Sequence, residues 1–133
     1  QIERVVGVNG TNLDAQQVWH VDTFHDTHKA WLYINNVKSN NAPFNFIVKS
    51  QLLSLKRLLW EWYQSIVYCL RGGDPSFRVN KRDIIYNKEE KNIITCNKNS
   101  ILFANSHGIH KRGKIKPNYV REAIHFDVRS NPF

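Results

Sequence analysis

His20 and Asp22 stand two apart in the run Trp19-His20-Val21-Asp22, which reads as β-strand. Alternate strand residues share a face. The imidazole and the carboxylate therefore point one way, and Trp19 and Val21 the other. An imidazole nitrogen beside a carboxylate oxygen makes two-thirds of a 2-His-1-carboxylate set, which holds non-haem Fe(II) with positions left open. The third donor must come from elsewhere, and the late segment Ser106-His107-Gly108-Ile109-His110 offers two histidines. Taken alone, His-x-Asp is a weak motif. His20 is equally readable as a hydrogen-bonded barrel histidine and Asp22 as a turn cap.

The elements that must position these groups are mostly short strands. Arg4–Val8, Gln17–Asp22, Lys29–Asn35, Phe44–Val48, Ile93–Cys96, Ser100–Asn105 and Tyr119–Arg129 carry the β-rich runs. Asp83–Tyr86 reads as a short strand or a helical turn. Asn9-Gly10, Asn35-Asn36 and Asn40-Asn41-Ala42-Pro43 punctuate them as turns. Phe24–His28 is a polar excursion, Asn87–Lys91 a charged loop, and His107–Asn118 a basic loop with Gly and Pro. One segment differs. Leu52–Leu70 has helical periodicity, with Leu52, Leu55, Leu59, Trp62, Tyr63, Ile66 and either Cys69 or Leu70 on one broad apolar face, which predicts burial or a lid. Arg71-Gly72-Gly73-Asp74-Pro75 stops it. Many short strands, one inserted helix and no repeat predict a mainly β fold, a barrel or two-sheet jelly roll.

The 133-residue chain predicts a single domain with one core. Cys69 and Cys96 are far apart and fit no thiolate zinc spacing, so reduced cysteines in a cytoplasmic protein are expected. No stretch is long and apolar enough for a membrane helix, and none reads as a signal peptide. The net charge of +8 comes from scattered lysines and arginines, without basic blocks that alternate with aromatics. That argues against a nucleic-acid binder and suits an anionic small-molecule ligand. The chain has no methionine, even at position 1, so preceding elements are expected to be missing from it.

Four stretches carry a resemblance. They are Trp19-His20-Val21-Asp22-Thr23-Phe24-His25, Lys29 to Val37, Asn41 to Ser50 leading into Leu58 to Trp62, and Ile101 to Gly113 with Arg121 beyond. In this order they resemble the phytanoyl-CoA dioxygenase-like group of Fe(II)/2-oxoglutarate-dependent oxygenases, over nearly the whole chain. The resemblance implies a double-stranded β-helix (a cupin-like jelly roll) with His20, Asp22 and a distal histidine as iron ligands. Gly108-Ile109-His110-Lys111-Arg112-Gly113 is similar to the family's Gly-φ-His-x-x-Gly, which selects His110 over His107 as that ligand. It also implies that Arg121 grips 2-oxoglutarate. Arginine suits a carboxylate because its fork binds bidentately and keeps its proton. Arg112 is a rival for that role, but a place in a loop would leave it in solvent. His25 and His28 become rim residues, and Trp31, Trp60 and Trp62 packing residues. Members usually carry a sizeable region ahead of the metal motif that this chain lacks.

The expected activity is O2-dependent hydroxylation of a small organic substrate. Two alternatives stand beside it: a cupin-like metal enzyme without 2-oxoglutarate, and a non-catalytic β-barrel binding module.

Overall fold

The structure, a computed structural model, describes residues 1–8, 14–22, 27–72, 76–79 and 91–129. The strands are β1 (Ile2–Val6), β2 (His20–Val21), β3 (Thr27–Tyr33), β4 (Phe44–Ile47), β5 (Phe77–Arg78), β6 (Lys91–Ile94), β7 (Ile101–Asn105), β8 (His110–Arg112) and β9 (Val120–Arg129). Helix α1 (Leu55–Arg71) lies between β4 and β5. The fold is mainly β, as the sequence predicts. Two antiparallel sheets form, one in the order β1-β9-β3-β7 and the other β5-β2-β8-β4-β6. The chain therefore changes sheet at almost every connection, and residues distant in sequence meet between the layers.

Several expected strands fall within a residue or two of the observed ones. Two expectations are corrected. Asp14 caps a 3-10 turn over Ala15–Gln17, its side chain accepting from the Gln16 N–H at 2.8 Å. That turn shortens the expected strand 17–22 to His20–Val21. The expected loop 107–118 contains β8, paired through His110 to both His20 and Phe46. His-Lys-Arg has no apolar alternation to announce a strand, because its inward side chains are His110 and Arg112. The Asn9-Gly10 turn, the 83–86 segment and most of the charged loop after it lie outside the described residues.

Trp31, Tyr33, Val37, Phe44 and Ala123 pack between the two sheets, with Phe46, Ile94 and Leu102 against them. On the other side of the five-stranded sheet, Val21, Ile47, Phe77, Val79 and Ile109 pack under Trp60 of α1. Trp60 meets Phe77 edge-on at 6.1 Å. Strand alternation separates these sets: Phe44 and Phe46 of β4 face inward while Ile47 faces the helix.

Helix α1 starts at Ser54, whose hydroxyl accepts from the Arg57 N–H at 3.2 Å. It ends at Gly72, whose φ of 67° is the left-handed region that glycine reaches without strain. Its buried side chains are Arg57, Trp60 and Glu61. The expected apolar face is instead exposed in this chain, with Leu55 75% and Trp62 67% accessible. The four-stranded sheet also turns apolar side chains outward. Ile2, Ile124, Leu32 and Ile101 are successive cross-strand partners over all four strands. Among the described residues no helix is long and apolar enough to cross a membrane.

Candidate metal centre

His20, Asp22 and His110 come together on the inner side of the five-stranded sheet. β2 and β8 place His20 directly opposite His110, and the rings lie 4.5 Å apart. Asp22 follows His20 by two residues and shares its face. Its Oδ1 stands 3.6 Å from each histidine Nε2. These gaps are too long for hydrogen bonds. The donor atoms of the three residues all lie within 4.8 Å of one another, the one such cluster found among the described residues.

Backbone carbonyls fix both imidazoles. His20 Nδ1 lies 2.7 Å from the Val18 carbonyl, and His110 Nδ1 lies 2.8 Å from the Gly108 carbonyl. A carbonyl only accepts, so each Nδ1 carries a proton and donates it, leaving each Nε2 turned toward Asp22. A ring N–H held this way is the usual support behind a metal-binding histidine. His20 Nε2 is buried and has no hydrogen-bond partner. An orphaned buried nitrogen costs about 1–3 kcal/mol and calls for an explanation. Burial, and then the neighbouring His110, push the His20 pKa down to about 4, so the ring is neutral at pH 7. For Asp22, burial raises the pKa, but His110 and the Lys29 ammonium outweigh it and hold the carboxyl well below its ordinary range. Lys29 Nζ takes the other oxygen, Oδ2, at 2.7 Å. Two imidazoles held by carbonyls through Nδ1 and one ionised carboxylate fit a divalent transition metal.

His107, the rejected candidate, points elsewhere. Its Nε2 donates to Glu61 Oε1 on α1 at 2.8 Å. Gly108 lies between the two histidines, against the Phe46 ring. A Cβ there would sit 2.4 Å from the Phe46 ring, so any larger residue would force that ring to move. His28 is exposed on β3, and His25 lies outside the described residues. Of the three tryptophans read as packing, Trp60 and Trp31 are buried and Trp62 is not.

Next to His110 is a cavity of about 250 Å³ lined by Glu3, Lys29, Trp31, Arg112, Arg121 and His125 among others. Arg121 of β9 is buried and faces it. Its Nη1 donates to the Ala42 carbonyl at 2.8 Å and its Nη2 to Glu3 Oε1 at 2.5 Å. Arg112 Nη1 donates to the same Glu3 oxygen at 3.2 Å, and its Nη2 pairs with Asp14. Arg112 is thus an inner strand residue, not the solvent-facing loop residue expected. The Trp31 ring stacks on His125 at 5.0 Å. It is both core and cavity wall.

Glu3, Lys29 and His125 were not singled out from sequence. A signal was present. On β1 the apolar Ile2 is 80% exposed while its polar neighbour Glu3 turns inward. On β9 Arg121 and His125 form the inward row while Phe126 turns out. An inverted strand pattern, polar in and apolar out, marks a wall that faces a site.

No protein-family model matches the chain, and no curated protein matches it. Among solved structures it is similar to that of EvdMO1, at 12% identity and a TM-score of 0.57. The match covers 99% of this chain and 26% of the other, so the chain spans about a quarter of that protein. At this identity the likeness concerns the fold alone.

Proposed function

We propose that the chain forms the iron-binding core of an Fe(II)- and 2-oxoglutarate-dependent oxygenase of the phytanoyl-CoA dioxygenase-like kind. On this reading the two sheets are a double-stranded β-helix, supported by the strand orders β1-β9-β3-β7 and β5-β2-β8-β4-β6. One observation carries the reading. Two histidines oriented by carbonyls aim their Nε2 atoms at one ionised carboxylate oxygen, 3.6 Å from each, beside a cavity walled by cations.

His20, Asp22 and His110 would hold Fe(II). When bound, Fe(II) with 2-oxoglutarate supplies O2 activation coupled to oxidative decarboxylation of the cofactor. The protein's own part is placement and exclusion of water. Val18 and Gly108 carbonyls keep the imidazole protons on Nδ1. Lys29 fixes the Asp22 carboxylate by its second oxygen. Trp31 and Phe44 wall the cavity. Arg121 would take the far carboxylate of 2-oxoglutarate in the place where Glu3 now sits.

That last contact also favours a second reading, a cupin-like metal enzyme that uses no 2-oxoglutarate, because Glu3 and the Ala42 carbonyl already engage Arg121. Succinate release during turnover separates the two. The first test is spectroscopic. Anaerobic addition of Fe(II) and 2-oxoglutarate should give a weak visible charge-transfer band that His20→Ala abolishes. A folded wild-type protein without that band overturns the cofactor assignment.

A further inference from the structure

Behind the metal centre, on the helix side of the five-stranded sheet, lies a second buried cluster of ionisable side chains. Arg57 and Glu61 project from α1, one helical turn apart, and His107 projects from the turn that precedes β8. Glu61 Oε1 accepts from Arg57 Nε at 2.7 Å and from His107 Nε2 at 2.8 Å. Arg57 Nη1 donates to the Ser50 carbonyl at 3.0 Å and Nη2 to the His107 carbonyl at 2.8 Å. All three residues are buried, and the cavity is lined by none of them.

A buried ionic cluster is a poor way to gain stability. Desolvation offsets most of the attraction, and apolar residues of similar volume do as well or better. What such a cluster provides is direction, and here it directs the backbone of one turn. The Gly108 carbonyl of that turn accepts the His110 Nδ1 proton. The Ser106 carbonyl receives the Asp22 N–H at 3.4 Å. The Ile109 N–H is held by Ser50 Oγ at 2.7 Å, and the Ser50 carbonyl is itself fixed by Arg57. The turn gripped by α1 thus reaches two of the three metal donors.

We propose that Arg57, Glu61 and His107 are positioning residues for the metal centre, holding turn 105–109 so that His110 presents Nε2 and Asp22 stays in register. The proposal rests on reading His20, Asp22 and His110 as metal ligands. None of the three would itself hold the metal. They act through the Gly108 and Ser106 carbonyls. Partners behind a ligand of this kind typically contribute about 10- to 100-fold in metal affinity.

The test uses the whole chain and Co(II) alone, followed by its visible absorption, with thermal melting of the metal-free protein in parallel. His107→Leu leaves the Arg57–Glu61 pair intact. It should lower Co(II) affinity by about 10-fold or more while the protein remains folded. The replacement Arg57→Met/Glu61→Leu/His107→Phe should melt near or above wild type yet bind Co(II) about 10- to 100-fold more weakly. Long-range proton–nitrogen spectra should show His110 losing its single Nδ1–H tautomer in both. His107→Gln restores a donor to Glu61 and should return affinity to near wild type. Folded His107→Leu and triple variants that bind Co(II) like wild type, with His110 in one tautomer, overturn the proposal. A wild-type chain that takes up no Co(II) overturns the metal reading and this role with it.

Discussion

Two histidine–carboxylate clusters lie on opposite faces of the same sheet, with His107 and His110 only three residues apart. In one, Glu61 closes on Arg57 and His107 at 2.7 and 2.8 Å, and the partners satisfy one another. In the other, Asp22 stands 3.6 Å from both histidines and His20 Nε2 is bonded to nothing. The residue types are nearly the same. The closed set is complete as it stands and ties a helix to a turn. The open set leaves a buried ring nitrogen without a partner and borders a cavity. Satisfaction of the polar atoms, more than residue identity, separates a structural cluster from a candidate site.

The largest effect should come from breaking the closed cluster. Glu61→Gln leaves Arg57 buried without its counter-charge and should cost about 3–5 kcal/mol of stability in denaturant unfolding. His20→Leu is the matching change in the open cluster. It removes an orphaned nitrogen, so the metal-free variant should lose no more than about 1 kcal/mol, the worth of its bond to Val18, while metal binding disappears. Equal destabilisation by the two would erase the distinction.

Acid should sharpen it next. The folded His20 pKa is depressed, to about 4 from 6.5, by burial first and His110 second. Its contribution is therefore complete above pH 6.5 and drains away as pH falls toward 4. Within that window the unfolded chain takes up a proton that the folded one refuses. The loss amounts to about 3 kcal/mol for a shift of this size. Unfolding of metal-free protein at pH 7 and pH 4 measures it, and His20→Leu should remove this component.

Smaller effects follow. Glu3→Gln withdraws the internal carboxylate from Arg121 and Arg112. Calorimetric titration of Mn(II)-loaded protein with 2-oxoglutarate should then show about tenfold tighter binding, or about 1.4 kcal/mol. Unchanged affinity would mean that the ligand and Glu3 do not compete. Ser54→Ala removes the cap that starts α1 one turn before Arg57, and should cost about 1 kcal/mol.

Local chemistry made part of this legible. His-x-Asp on a strand put both groups on one face because strand alternation is a property of the backbone, and the structure keeps them there. Gly72 closed the helix where the Arg71–Pro75 stop was expected, whereas its start came at Leu55 behind the Ser54 cap and not at Leu52. β8 was not legible, because periodicity registers apolar alternation and its inward residues are polar. The helix face was misjudged for the converse reason. Leu55, Leu59 and Trp62 have the right spacing for burial, but spacing does not say which side meets the sheet, and Arg57 and Glu61 take that side.

By itself the sequence determined the mainly β character, helix α1 and the pairing of His20 with Asp22, all of which follow from interactions within a few residues. The likeness of Gly108–Gly113 to a family motif pointed to His110, but its meeting with His20 and Asp22, the approach of Glu3 to Arg121 across 118 positions, and the engagement of His107 by Glu61 were decided by the tertiary structure. These depend on which strands become neighbours. That choice is made by burial over the whole chain, and no local pattern encodes it.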